Sequence, residues 1–504
     1  MAEFQINGRT WHLVMTEKMY DELHAHLFPG DDDEHGAVIE AGIACTHDGR
    51  VRLLARSLHT ALDGQDYVPG RYGYRMLKAS FIQYRILECR DKRLVYLAIH
   101  NHGGSDSVSF SHDDMRSHER GYPALLDVTR GMPVGALVFA KNAVAGDIWL
   151  PDNSRTNLSG ATIIGRRRQL LTASPVRTNF CRDATYDRQA RLFGDIGQEV
   201  LRKVKVGIIG LGGAGSLLAE YLGHLGVGHF VLIDDDRIEI SNLPRVVGAT
   251  RFDALTWLTN EHMPSWIQNI AKRLARKKVS IARRVIFRAN KHAHVEAVFG
   301  NVLDPEIANR LLDCDYIFLA ADSMRARLLF NAIVHQYLIP GVQLGSKVPV
   351  DKDTGVVGDI FSVVRPVTPD SGCLWCNQLI NPSKLQEEGQ GQKELAAQRY
   401  VDDMEVRAPS VITLNAISAS QAANDFMLYI TGPNRMRNAA MCVLYQGTAK
   451  SYLKSHAKIH LALNVGMVLI AVLREVIKKI FPPALNGENI MQVTGRLAKV
   501  RRIK

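Results

Sequence analysis

At 504 residues and 56.0 kDa the chain is longer than one ordinary domain, so two or three are expected, each large enough to bury its own core. Hydrophobic residues at 46% and charged residues at 22% describe a globular protein and exclude a disordered, collagen-like or disulfide-stapled chain. The formal net charge of +11 suits an acidic partner or a phosphate-rich ligand, but no zinc-finger spacing, RNP aromatic motif or basic heptad points to nucleic acid. Met1 to His12 lacks a basic-then-apolar signal pattern, and the apolar run Leu461 to Leu473, broken by Asn464, is short of a spanning helix, so no membrane association is expected. The cysteines are odd in number and only Cys373 and Cys376 sit close together, which reads as a reducing, cytoplasmic compartment.

From Phe4 to about Leu150, short β-branched runs such as Val51 to Leu54 and Leu94 to Ile99 alternate with glycine and aspartate turns, the pattern of an α+β domain. The run ending at Ile99 opens into His100-Asn101-His102, and residues i and i+2 of an extended segment project to the same side. Ser111-His112-Asp113-Asp114 then supplies a serine and a carboxylate. Two histidines with one aspartate form a three-ligand set for zinc that leaves a position for water. Hydrolysis at such a centre also needs a group to take and return a proton, and Glu34 is the upstream candidate. His112 and His118 read as helix-surface or loop histidines.

Glu34 ahead of a small-apolar strand, His100-x-His102 after a second strand and Ser111-x-x-Asp114 together resemble the JAB/MPN (JAMM) metalloprotease family over about the first 150 residues. That family cuts after the C-terminal glycine of ubiquitin-like proteins. The resemblance implies that His100, His102 and Asp114 hold zinc, that Glu34 is the acid/base and that Ser111 helps stabilise the oxyanion. Gly103 stands where the family commonly has proline, and the gap from His102 to Ser111 is one residue longer than usual. The longer gap leaves Asp113 as an alternative ligand, with the Ser-x-x-Asp spacing favouring Asp114.

Pro151 to Arg182, with Arg166-Arg167-Arg168, reads as a final element plus linker. From Tyr186 onward, apolar runs precede glycine turns and helical patterns, the alternation of a parallel α/β sheet. Val204 to Ile209 is a buried-strand pattern feeding Gly210-Leu211-Gly212-Gly213-Ala214-Gly215-Ser216, a turn whose backbone N–H groups can approach phosphates at a helix N-terminus. The next strand, His229 to Ile233, ends in Asp234-Asp235-Asp236, where a carboxylate can bond ribose hydroxyls. To this point a NAD dehydrogenase and an ATP enzyme read alike.

Ser241-Asn242-Leu243-Pro244-Arg245 after the acidic cluster, and Tyr186-Asp187-Arg188-Gln189 with Phe193-Gly194 and Gly197-Gln198 before it, separate the two. They resemble the ubiquitin-activating superfamily, which includes the bacterial adenylyltransferases of molybdopterin and thiamine synthesis (the ThiF/MoeB group), over roughly residues 186 to 450. The resemblance implies a Rossmann-like adenylation domain with Arg245 and Lys278 on the phosphates, Asn242 beside them, and Asp236, or alternatively Asp234, on ribose. It also implies that Asp322, in Ala321-Asp322-Ser323, serves Mg2+ and the adenylate, and that Arg188 reaches the partner's active site in a homodimer.

Phe252 to Arg276, with Trp257, Trp266 and Ile270, is an insertion relative to the compact bacterial enzymes and is expected to be a packing helix, a docking surface being the other reading. Its cations Lys272, Arg273, Arg276 and Lys277 read as a solvated face. Cys373-Leu374-Trp375-Cys376 is half of a structural zinc site, with only Cys442 downstream, so a thioester-forming thiolate competes with a structural or redox role, and either sulfur qualifies. Cys45, Cys89, Cys181 and Cys314 are single and read as inert thiols.

The expected whole is an α/β chain: a JAB/MPN zinc peptidase over residues 1–155, a linker over 156–185, an adenylyltransferase over 186–450 and a helical extension over 451–504. The implied reaction is ATP-dependent activation of the C-terminal glycine of a ubiquitin-like protein, combined with zinc-dependent cleavage at that C-terminus, with a conjugating enzyme as partner. The rivals are a sulfur-carrier adenylyltransferase with a carrier-processing peptidase, a non-catalytic scaffold with degenerate sites, and last a NAD dehydrogenase.

Overall fold

A computed structural model describes residues 8–69, 75–175, 183–348, 357, 360–389, 409–432 and 443–446, the last as backbone pairing. Residues 390–408 and 451–504, with Cys181 and Cys442, lie outside the described residues. The chain divides into two compact units, residues 1–181 and 182–504.

The first unit is built on an eight-stranded sheet. In chain order it runs β1 (Thr10–Thr16), α1 (Glu17–Leu27), β2 (Gly36–Cys45), β3 (Arg50–Thr60), α2 (Ala79–Lys92), β4 (Val95–Asn101), α3 (His112–Thr129), β5 (Val134–Ala140), β6 (Ala143–Trp149), β7 (Arg155–Ile164) and β8 (Arg168–Leu171). The strand order is β1-β3-β2-β4-β5-β6-β7-β8, and β1 also pairs with β7, so the sheet curls until its ends meet. Trp11, Leu13, Met15, Ile39, Leu53, Leu97 and Phe139 fill its inside, while Phe81, Ile86, Tyr96, Tyr122, Leu126 and Trp149 form a second cluster that includes α2 and α3. The stretch expected as linker from residue 156 instead supplies β7 and β8. In β7 the inward residues Leu158, Ala161 and Ile163 alternate with polar ones near its start, and burying that face against β1 holds it in the sheet.

The second unit contains α4 (Asp187–Lys203), β9 (Lys205–Ile209), α5 (Gly213–His224), β10 (His229–Asp234), α6 (Ser265–Leu274), α7 (Lys278–Ala289), β11 (His294–Phe299), α8 (Pro305–Arg310), β12 (Tyr316–Leu319), α9 (Met324–Tyr337), β13 (Gly341–Lys347), β14 (Phe361–Val367), α10 (Pro382–Gly389), α11 (Ile412–Thr431) and β15 (Val443–Gln446). Its sheet order is β11-β10-β9-β12-β13-β14-β15, parallel from β11 through β13 and antiparallel thereafter. Helices cover both faces. Leu218, Leu222, Val279, Ile286 and Phe426 pack with Ile208, Leu232 and Phe318, while Ala308, Leu329, Phe330 and Ile333 pack with Ile209, Val231 and Ile317. The chain passes from β9 outward to β10 and β11, then returns to place β12 on the other side of β9. The carboxyl end of β9 is therefore a topological switch point, where open α/β sheets hold ligands.

Candidate active sites

In the first unit, β2 and β4 pair antiparallel with Gly36 opposite His100, which brings the residues ahead of β2 beside the end of β4. The Asn101 side chain fixes that approach, its Oδ1 accepting the His35 N–H at 2.6 Å. His100 Nε2 and His102 Nε2 lie 3.2 Å apart, and each faces the Asp114 carboxylate, at 3.5 Å and 3.4 Å. Glu34 Oε1 is 3.8 Å from His102 Nε2. One ligand atom each from His100, His102 and Asp114 falls within 4.8 Å of the others, a spacing that a single ion can bridge. His102 Nδ1 faces the Ser109 carbonyl at 3.0 Å, so a proton held there leaves Nε2 as the free ligand atom.

Asp114 comes from the first turn of α3, and Ser111 is that helix's N-cap. Ser111 Oγ accepts the Asp114 N–H at 3.1 Å, and Asp114 Oδ2 accepts the Ser111 N–H and hydroxyl at 2.8 Å and 2.7 Å. Burial alone would raise the Asp114 carboxyl, but His100 and Ser111 outweigh it and hold it below the usual carboxylate range. At Glu34 burial prevails over the pull of His100 and His102 and moves the carboxyl up. Asp113 is turned to solvent, which leaves Asp114 as the carboxylate in the cluster. His118 departs from the surface reading. It is buried, with Nδ1 2.9 Å from Asp147 Oδ2 and its ring edge-on to Phe110 at 4.9 Å. Asp147 also accepts from Trp149 Nε1 and from Arg155, so this network anchors α3 behind Asp114.

In the second unit the glycine turn closes at the switch point. Gly210 has φ +86°, and a side chain there would meet the backbone of Ala320 and Ala321, just ahead of Asp322. A Cβ on Gly215 would come within 1.9 Å of the Gly210 carbonyl oxygen. Gly212 caps α5, and a Cβ on Gly213 would stand 2.2 Å from Asn415 Nδ2 and 3.7 Å from Arg245 Cβ. The Arg245 guanidinium therefore stems from beside the turn, and its buried Nε has no hydrogen-bond partner among the described residues. Asn242, three residues earlier in the chain, is buried. Asp234 is buried and binds the turn itself, Oδ2 accepting the Leu211 N–H at 2.6 Å and Oδ1 the Asp236 N–H at 2.8 Å. Burial raises its carboxyl despite Lys278 nearby. Asp236 is the solvent-facing carboxylate, and Lys278 Nζ, itself buried, lies 2.5 Å from its Oδ2.

Two residues of this region were not singled out by sequence. Asn415 lies on α11, and its Oδ1 accepts the Ser346 hydroxyl at 2.7 Å while Nδ2 donates to Ser410 Oγ. Glu388, at the end of α10, accepts at 2.9 Å from Ser323 Oγ, the Met324 N–H and the Arg325 N–H, capping α9 just after Asp322. Neither contact has a local sequence signal. Arg188 is exposed on the first turn of α4. Cys373 and Cys376 have sulfurs 3.1 Å apart, and burial, reinforced by Cys373, pushes the Cys376 thiol up to about 11. Cys89 and Cys314 are buried, and burial pushes Cys89 to about 12.

A glycine turn at the switch point, followed by acidic and cationic groups, is the arrangement of a nucleotide-binding α/β unit. The model of the ThiF family matches residues 186–461, more than half of the chain, and the chain belongs to that family. It is 31% identical over 149 residues to the molybdopterin-synthase adenylyltransferase of Escherichia coli (strain K12), covering 29% of this chain and 52% of that protein. It is 27% identical over 194 residues to the sulfur carrier protein ThiS adenylyltransferase of the same strain, covering 38% of this chain and 65% of that protein. Among solved structures, E. coli MccB with ATP aligns with 18% identity over 55% of this chain and 73% of that one, at a TM-score of 0.39. The chain thus spans about half the length of the first curated relative, 52%. The family match begins at residue 186, so the reading of the first unit rests on its own geometry. Among the described residues no helix is long and apolar enough to cross a membrane.

Proposed function

We propose that the second unit adenylates the C-terminal carboxylate of a ubiquitin-like or sulfur-carrier protein, and that the first unit is a zinc peptidase acting at that same C-terminus. The observation that carries the first half is Arg245 beside the glycine turn, with a buried Nε that has no hydrogen-bond partner among the described residues and can donate to a phosphate oxygen. The turn's N–H groups and the start of α5 receive phosphates, and Arg245 with Lys278 balances the charge that builds at the α-phosphate as the carboxylate attacks and pyrophosphate leaves. Lys278 exchanges Asp236 for phosphate oxygen, which frees Asp236 for ribose. Asp322 with Mg2+ completes the set, and Arg188 is assigned to a partner copy's site.

In the first unit the two nitrogens and one oxygen of His100, His102 and Asp114 fit zinc. When bound, the metal would polarise the scissile carbonyl and lower the pKa of water. Glu34, raised by burial, takes the proton from water and returns it to the leaving amine. Ser111 helps an oxyanion only once its hydroxyl turns from Asp114.

The names of the relatives, a molybdopterin-synthase and a ThiS adenylyltransferase, support a sulfur-carrier fate for the adenylate over transfer to a conjugating enzyme. The raised Cys376 thiol disfavours that sulfur as the attacking group, since attack on an adenylate requires thiolate, and leaves Cys373 to the test that follows. To test both, Glu34→Ala protein is isolated from its native cells, incubated with Mg-ATP and weighed intact without reductant. Pyrophosphate release without a thiol-sensitive adduct is expected, together with loss of release in Lys278→Ala. An adduct of small-protein mass that disappears when Cys373 and Cys376 are both replaced would establish the thioester route instead. No release at all would remove the adenylation reading.

A further inference from the structure

The segment between Arg245 and Lys278 turns large apolar side chains outward, against the packing role expected for it. Phe252 is 78% exposed, Trp257 44%, Trp266 63%, Ile270 49% and Leu274 67%. On α6, Trp266, Ile270 and Leu274 recur every fourth residue and form one stripe, while Ala271 is buried on the inner side. Phe252 and Trp257 meet edge-on at 5.3 Å. Hydrogen bonds run through the segment: Asn260 Nδ2 donates to the Trp257 carbonyl, Gln268 Nε2 of α6 to the Met263 carbonyl, and the Arg276 N–H, just past α6, to the Asp253 carbonyl. Exposed aromatic and aliphatic side chains gathered in this way within one segment mark an interaction surface.

Charge and position choose its occupant. Arg251, Lys272, Arg273 and Arg276 are exposed around the stripe, whereas Asp253 is buried and bound by Arg276 and Arg284. Glu261 is the exposed acid of the segment. A second copy docking by the same surface would set these cations against one another, so a partner with carboxylates around an apolar centre fits better. The end of α6 is also stitched to the acidic turn of the nucleotide site. Arg237 donates to the Ala275 carbonyl at 2.6 Å, the Ile238 N–H to the Arg276 carbonyl at 2.9 Å, and the Lys278 N–H to the Asp236 carbonyl at 3.1 Å.

We infer that the 252–276 surface docks the globular body of the carrier protein whose C-terminus is adenylated, through an apolar patch on the carrier ringed by acidic groups. This inference rests on the adenylation reading above. The probes are the carrier that co-purifies with the Glu34→Ala protein and supports its pyrophosphate release, once separated from it, and a short synthetic peptide of its C-terminal residues; the readout is ATP–pyrophosphate exchange. Trp266→Asp with Ile270→Asp is expected to raise KM for the carrier about tenfold or more, to leave kcat within about twofold, and to leave KM for the peptide unchanged. Trp266→Phe retains most of the affinity, and Lys272→Glu with Arg273→Glu raises KM and flattens its dependence on salt. An unchanged carrier KM, or an equal loss with the peptide, overturns the docking surface. So does a photo-cross-linker at position 266 that reacts within the chain or with a second copy instead of the carrier. If wild-type protein supports exchange with neither probe, the adenylation reading itself falls, which is a different result from exchange that ignores the surface.

Discussion

Asp425 shows what one carboxyl can cost. It lies on α11, its Oδ2 is buried without a hydrogen-bond partner among the described residues, and Gln421 Nε2 donates to its Oδ1 at 2.7 Å. Burial pushes it from 3.8 to about 6. An acid whose folded pKa is raised binds its proton more tightly in the fold, so it is neutral to stability below the unfolded value and increasingly unfavourable as pH climbs to the folded value. Asp425→Asn keeps the acceptor for Gln421 and removes the penalty, a gain of up to about 3 kcal/mol at neutral pH. Thermal unfolding should show variant and parent melting together near pH 4 and the variant melting higher at pH 7.5; parallel curves across that range would refute the assignment.

Among the elements, the glycine turn is the least forgiving. Gly215→Ala places a methyl on the Gly210 carbonyl, and since backbone rather than a flexible side chain is struck, the turn must open. The expected result is loss of ATP binding by calorimetry with a lowered melting temperature for the second unit, while metal content of the first unit stays at parent level. The turn was legible in the sequence because its function is local: strand, glycines and helix follow one another. So was the convergence of His100, His102, Ser111 and Asp114, which a strand end and a helix start present within a short stretch, while their proposed roles rest on that proximity. What escaped depends on long-range packing. Helical spacing identifies a stripe such as Trp266, Ile270 and Leu274 but cannot say whether it faces core or solvent. The polar start of β7 hid a strand whose inward face is completed by β1, far away in sequence. The burial of His118 is likewise decided by Asp147 and Arg155 from distant strands.

For the whole molecule, the two units have separate sheets and separate hydrophobic clusters, and each sheet's hydrogen bonds close within its own unit. A fragment of residues 1–181 is therefore expected to fold alone, with a cooperative melting transition and the zinc content of the full chain, and to lose that zinc in His100→Ala. A fragment that aggregates or takes up no zinc while the full chain holds it would show that the first unit depends on the second.

The shared carboxylate of Asp114 has a kinetic meaning. One of its oxygens is already committed to starting α3 while the other faces His100, so the helix end and the proposed zinc ligands are a single preformed object. Capture of the proposed zinc would then require no segment to fold, unlike the small domains in which an ion drives folding itself. Uptake and release should therefore be governed by diffusion and by competing chelators, with the helical signal of the protein silent throughout.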